Sequence, residues 1–268
     1  MLDKIQVGIA CGHNTHYYVD FLLKSIKKTI NKNRSIEILL GINKPSFDSQ
    51  YVVARHQNNF KIKTYNCITD EVGSHSPGHG KCLNYLFDKM DAKFGMFIDA
   101  DVAFLEKDWD IKLISKLKDN FVAIGADTEE AHHHYYNFPF IIMILFSVAE
   151  LKKSKACFSA SLEPLVLNKS NAKYFGRKPG DKIARDTAWQ LSYLVKKAGY
   201  DGIALPVLSP RIDKSQIKFM TEDMRGEEHQ LDGIPIFTHV GRSHTRDFFK
   251  SPIIAKWKKR VEEWTKES

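Results

Sequence analysis

Apolar residues along this chain follow two alternating rhythms. Short, nearly continuous runs, IQVGIA (5–10), IEILLGI (36–42) and FGMFI (94–98), and the alternating FKIKTY (60–65), have the length and composition of strands. Between them apolar positions recur every three or four residues, as on one helical face. Tyr17, Tyr18, Phe21, Leu22, Ser25, Ile26 and Ile30 form one such set, and Leu83, Leu86, Phe87 and Met90 another. Asp108 is placed to cap a further helix carrying Ile111, Ile114 and Leu117. Strands alternating with helices at this spacing predict an α/β fold: a Rossmann-like, mostly parallel sheet flanked by helices.

The second half is less regular. FVAIGADT (121–128), PFIIMILFS (139–147), YDGIALPV (200–207) and IPIFTHVG (234–241) read as strands. RDTAWQLSYLVKKAG (185–199) reads as an amphipathic helix ended by Gly199. Residues 251–268 predict a C-terminal amphipathic helix, with Ser251 as N-cap and Pro252 in the first turn. Its stripe of Ile253, Ile254, Trp257, Val261 and Trp264 is expected to pack within the molecule. The lysine-rich opposite face leaves peripheral membrane contact or dimerisation as the lesser reading. With no repeat, linker or low-complexity tract, residues 1–268 read as one domain.

Composition changes this picture little. Hydrophobic residues at 43% and charged residues at 27% describe a globular protein. The net charge of +8 suggests an anionic partner without choosing one. Cys11, Cys67, Cys82 and Cys157 form no CxxC pair, so neither a zinc pattern nor a disulfide framework is expected. The most apolar stretch, Phe138 to Ala149, is about half the ~20 residues that a spanning helix needs. The first residues reach only a short strand, so no leader is expected and a cytoplasmic location is.

Candidate chemistry begins where the FGMFI run meets Asp99-Ala100-Asp101. Two carboxylates at alternate positions beyond a buried strand can hold a hard cation, Mg²⁺ or Mn²⁺, and leave positions open for phosphates. The same pair can also cap a helix or mark a solvated turn. In parallel sheets ligands bind beyond the carboxyl ends of strands, which favours the ion. "HHHYY" (132–136) is a poor metal site, because adjacent histidines cannot all point one way.

The segment GKCLNYLFDKMDAKFGMFIDADVAF (80–104) resembles the GKxxALN…DYIxFLDADV segment of GT-A glycosyltransferases, particularly family 2. Gly80, Lys81, Leu83, Asn84, the apolar strand and the Asp99–Asp101 triplet match in order and nearly in spacing. YYVDFLLKSIKKT (17–29) is similar to that family's first helix, and RDTAWQLSYLVKKAGY (185–200) to its helix carrying an acidic residue. The resemblance covers most of residues 5 to 245 and implies a GT-A fold.

It also implies a transferase that moves a sugar from a nucleotide-diphospho-sugar, UDP- or GDP-linked, to a carbohydrate or glycolipid acceptor. It makes Asp101 the direct ligand of a divalent metal, with Asp99 facing the ribose or the ion through water and His239 of "FTHVGRSH" completing the shell, and it sets the donor against Ala10, Gly12, Asn43, Lys81, Asp99, Ala100 and Arg242. On the residues alone, His239 is equally a hydrogen-bonded loop histidine. Asp186 becomes the general base of an inverting displacement, although by position it is also a helix cap. A retaining enzyme of the same fold is the alternative. A non-catalytic carbohydrate- or nucleic-acid-binding module ranks last, because carboxylates stand where a nucleic-acid binder wants lysine. The chain departs from the family in lacking an acid directly after its second strand, where Asn43 stands and Asp48 comes later. No QxxRW-like motif follows the acidic helix.

Overall fold

The structure is a computed structural model that describes residues 2–11, 15–42, 47–67, 75–127, 137–209, 217–221, 224, 226–241 and 251–266. The alternation in the first half yields β1 (Ile5–Cys11), α1 (His16–Thr29), β2 (Ile36–Ile42), α2 (Phe47–His56), β3 (Lys61–Asn66), α3 (His75–Lys89) and β4 (Phe94–Ile98). A short strand β5 (Val102–Phe104) and helix α4 (Trp109–Ile114) follow, then β6 (Phe121–Ala126), β7 (Phe140–Ser147) and α5 (Val148–Lys153). The rest of the chain forms β8 (Ser161–Val166), β9 (Lys182–Arg185), α6 (Leu191–Lys197), β10 (Asp201–Leu205), β11 (Val207–Leu208), β12 (Glu227–Leu231), β13 (Ile234–His239) and α7 (Pro252–Lys266).

Seven strands make the central sheet in the order β10-β6-β7-β4-β1-β2-β3. All run parallel except β7, which is antiparallel to both β4 and β6. The mostly parallel sheet expected from the sequence is therefore present. β1, β2 and β4 are buried along almost their whole length, as the continuous apolar runs require of strands covered on both faces. On one face a tight aromatic group of Phe87, Phe97, Phe146 and Phe158 packs edge to ring, with Phe97 and Phe158 centroids 4.8 Å apart.

A second sheet, β11-β12-β13-β5, is antiparallel, and through β5 it is continuous in sequence with the end of β4. From the apolar stripe of α7, Ile254, Trp257 and Val261 are fully buried and Trp264 is half-buried. Trp257 donates its indole N–H to Thr238 Oγ1 at 3.2 Å, and Trp264 donates to the Phe104 carbonyl at 3.2 Å. The C-terminal helix thus braces the second sheet. Among the described residues no helix is long and apolar enough to cross a membrane.

Three local expectations change. Asp108 does sit at the start of α4, but with φ 56° its carboxylate accepts from Asn31 Nδ2 at 2.6 Å and does not cap the helix. Between the strand at 139–147 and the helix at 185–199, where no element is expected, stands the β8–β9 hairpin, against which Leu167, Ala172, Phe175 and Ile183 form a small core. The predicted helix over 185–199 starts only at Leu191. Ala188 is buried in the left-handed region at φ 60° and donates its N–H to the Phe158 carbonyl at 2.9 Å, so the chain cannot be helical through Asp186.

The Phe158–Ala160 segment joins α3 to that turn. Asn84 of α3 accepts the Phe158 N–H at 2.9 Å and donates to Ser159 Oγ at 2.9 Å. Gly80 lets the segment pass, since a Cβ there would lie 2.3 Å from the Phe158 carbonyl oxygen and 3.1 Å from the Ala160 nitrogen. In an ordinary helix Gly→Ala gains about 1 kcal/mol. Here the obstacle is backbone, so Gly80→Ala should instead cost about 1–3 kcal/mol, read as a lower urea midpoint at constant m-value. A higher midpoint would show that α3 and the segment are not in close contact.

Candidate metal and catalytic site

The carboxyl ends of β1, β2 and β4 open on one edge of the sheet, where ligands bind in folds of this kind. Asp99 is the first residue beyond β4, and its N–H still donates to the Ile142 carbonyl of β7 at 2.8 Å. Two residues on, the chain leaves the central sheet and β5 pairs with β13, Val102 opposite His239. The Asp101 carbonyl accepts the Val240 N–H at 3.2 Å. This ladder lays His239 beside Asp101, with Nε2 3.5 Å from Oδ1.

One ligand atom each from Asp99, Asp101 and His239 lies within 4.8 Å of the others. Asp101 and His239 are buried, whereas the Asp99 side chain remains 32% exposed. Two carboxylates and an imidazole at this separation fit a divalent ion, and the nitrogen suits Mn²⁺ better than Mg²⁺.

The electrostatics describe a site short of positive charge. Burial, reinforced by the negative charges of Asp101 and then Asp186, pushes the Asp99 carboxyl up to about 7, while His239 pulls it partly back. Burial alone would lower His239, but Asp101 and Glu227 on either side raise it well above its usual value. Burial also holds His79, on α3, down to about 4, with Asp186 opposing. His79 Nε2 lies 3.8 Å from Asp99 Oδ1.

Asp186 lies in the turn after β9, with its Oδ1 accepting the Thr187 N–H at 2.7 Å. It is not the cap of α6, whose N-cap position belongs to Gln190. The side chain is close enough for its charge to act on both Asp99 and His79. Of the other expected donor contacts, Ala10 is half-buried at the end of β1, Ala100 is buried between the aspartates, and Lys81 is exposed on α3. Gly12, Asn43 and Arg242 lie outside the described residues, as does the 132–136 histidine run.

Sequence reasoning missed His79, Glu227 and His229. His79 stands just before the Gly80-Lys81 pair, which was a usable signal. Glu227 and His229 gave none, because their nearness to His239 comes from the β12–β13 register.

No family model matches the sequence, and no curated protein does. Among solved structures, the mannosyltransferase PcManGT from Pyrobaculum calidifontis, in complex with GDP-Man and Mn²⁺, is similar over 77% of this chain and 55% of its own. Its TM-score is 0.51 at 14% identity. The bifunctional glycosyltransferase WbbM, apo, aligns with 77% of this chain and 39% of its own, at TM-score 0.48 and 12% identity. S. aureus TarS 1-349, in complex with UDP-GlcNAc, aligns with 58% of this chain and 48% of its own, at TM-score 0.43 and 17% identity. The chain therefore spans about half or less of the length of these proteins. The two lower scores carry no weight, but the mannosyltransferase shares the architecture described above. This chain has the fold of that mannosyltransferase, a mostly parallel sheet flanked by helices.

Proposed function

We propose that this chain is a metal-dependent glycosyltransferase that moves a sugar from a nucleotide-diphospho-sugar to a hydroxyl acceptor, with inversion. The observation that carries the reading is the meeting of Asp99, Asp101 and His239 within 4.8 Å at the carboxyl edge of a GT-A-like sheet. When bound there, a divalent ion would offset the negative charge that develops on the departing nucleoside diphosphate. Asp99 and Asp101 would hold it through carboxylate oxygens and His239 through Nε2.

The remaining roles fall to the chain's own residues. Ala10 and Ala100 would contact the donor and Lys81 its phosphate charge; for Gly12, Asn43 and Arg242 the same roles rest on the sequence alone. Asp186 takes the proton from the acceptor hydroxyl as that oxygen bonds to the anomeric carbon and the bond to the diphosphate breaks. Its charge already acts on Asp99, which supports its place at the reacting centre. UDP- and GDP-sugars are the donors expected, with a glycan or glycolipid as acceptor.

The decisive experiment is a thermal-shift panel of UDP, GDP, CMP and dTDP, with and without Mn²⁺. One nucleotide should raise the melting temperature only with the metal, by the equivalent of about 2.7 kcal/mol at 100 times its dissociation constant. Asp101→Ala should abolish transfer and the metal-dependent part of nucleotide binding; full activity in EDTA would defeat the metal reading.

His239→Ala should weaken Mn²⁺ binding in a titration and slow turnover less than the loss of Asp101, since water can occupy one position. An unaltered metal affinity would return His239 to a structural role.

Asp186→Asn keeps an oxygen able to accept the Thr187 N–H. The melting temperature and nucleotide binding should therefore survive, while kcat falls about 100-fold or more. A near-wild-type kcat would rule out the base. NMR of the product should show an inverted anomer, and a retained one would move the assignment to the retaining alternative.

A further inference from the structure

We propose that Glu227 is the positioning residue of this centre: it holds His239 so that Nε2 faces the ion, and His229 holds Glu227 in turn. The proposal rests on the metal reading above and adds a layer behind it. In the β12–β13 ladder Glu227 pairs with His239 and His229 with Phe237. Directly opposed residues share a face, and so do residues two apart on one strand. Glu227, His229, Phe237 and His239 therefore form a square on one side of the second sheet.

The contacts within the square are specific. Glu227 Oε2 lies 3.7 Å from His239 Nδ1 and 3.4 Å from His229 Nε2. The fully buried His229 ring stacks on Phe237 at 4.4 Å and 17°, which fixes the direction of its nitrogens. His239 is thus bracketed, Nδ1 toward Glu227 and Nε2 toward Asp101. Gly226, at φ 139°, brings the start of β12 against the His239 carbonyl, where a Cβ would come within 2.5 Å.

At these separations Glu227 Oε2, His239 Nδ1 and both His229 nitrogens are buried without a hydrogen bond. Buried polar atoms of this kind call for an explanation. A metal-bound imidazole that donates its other N–H to a carboxylate has a fixed tautomer and a more basic ligating nitrogen, and losing that partner typically costs 10–100-fold in metal affinity. The square supplies that partner, and its contacts are close enough to shorten into hydrogen bonds.

The test uses Mn²⁺ alone on the full chain. Affinity is read by EPR titration, imidazole coordination by nitrogen modulation of the electron spin echo, and folding by melting temperature without metal. Wild type should bind Mn²⁺ with one coupled imidazole nitrogen. Glu227→Gln, which keeps the shape, should bind about 10–100-fold more weakly, with that coupling lost or reduced. His229→Gln should show the same change to a smaller degree. Wild-type affinity and coupling in Glu227→Gln would overturn the positioning role while leaving the metal reading intact. Failure of the wild type to bind Mn²⁺ would overturn both. Should Glu227→Gln melt, His229→Gln decides: unchanged affinity and coupling in that variant overturn the proposal.

Discussion

The pairing of β5 with β13 is the constraint from which the rest of the site follows. Only three residues of β5 take part, yet they carry the chain out of the parallel sheet directly after Asp101 and place it against His239. A slip of one residue would turn His239 to the opposite face. The register is held on several sides. Phe104 stacks on Trp109 at 4.0 Å and meets Phe237 edge-on, while Trp257 and Trp264 of α7 bond to Thr238 and to the Phe104 carbonyl. The imidazole–carboxylate pair is thus fixed by backbone bonding and aromatic packing that lie outside the site.

The two edges of the central sheet treat carboxylates in opposite ways. At the amino-terminal edge Glu37 is buried but faces Lys4, Lys61 and Lys63, and the buried Gln6 amide donates to it at 2.7 Å. Burial alone would raise Glu37, but Gln6 and the lysines hold it well below its usual range. At the carboxyl edge Asp99 lies beside Asp101 and Asp186 and is raised. One edge is a closed network that contributes stability. The other keeps unfavourable charge, which a fold tolerates where it binds something. The overall +8 therefore describes the surface and not the site.

Much of this was legible from local pattern. Six strands of the main sheet appear as apolar runs and β3 as an alternating one, and Asp99 and Asp101 are visible because both follow one buried strand within three residues. His239 could be suspected from the Gly241 after it. What failed was whatever depends on contacts distant in sequence. The stretch TAWQ has helical spacing, yet the Phe158 carbonyl captures Ala188 in a left-handed conformation and delays the helix. Glu227 and His229 look like ordinary polar strand residues until the hairpin register sets them against His239. His79 differs from these two, since its place before Gly80-Lys81 marked it in the sequence, and the fold then sets it 3.8 Å from Asp99.

The bracing of β13 by α7 bears on the order in which this protein is made. Asp99 and Asp101 leave the ribosome early, on a sheet that can already pair β1, β2 and β4. Their imidazole partner arrives with His239, and the tryptophans that fix its strand arrive later still, at Trp257 and Trp264. An ion can therefore find only an incomplete set of ligands on the growing chain. Metal at this position would meet its full set of ligands only once β13 has paired with β5.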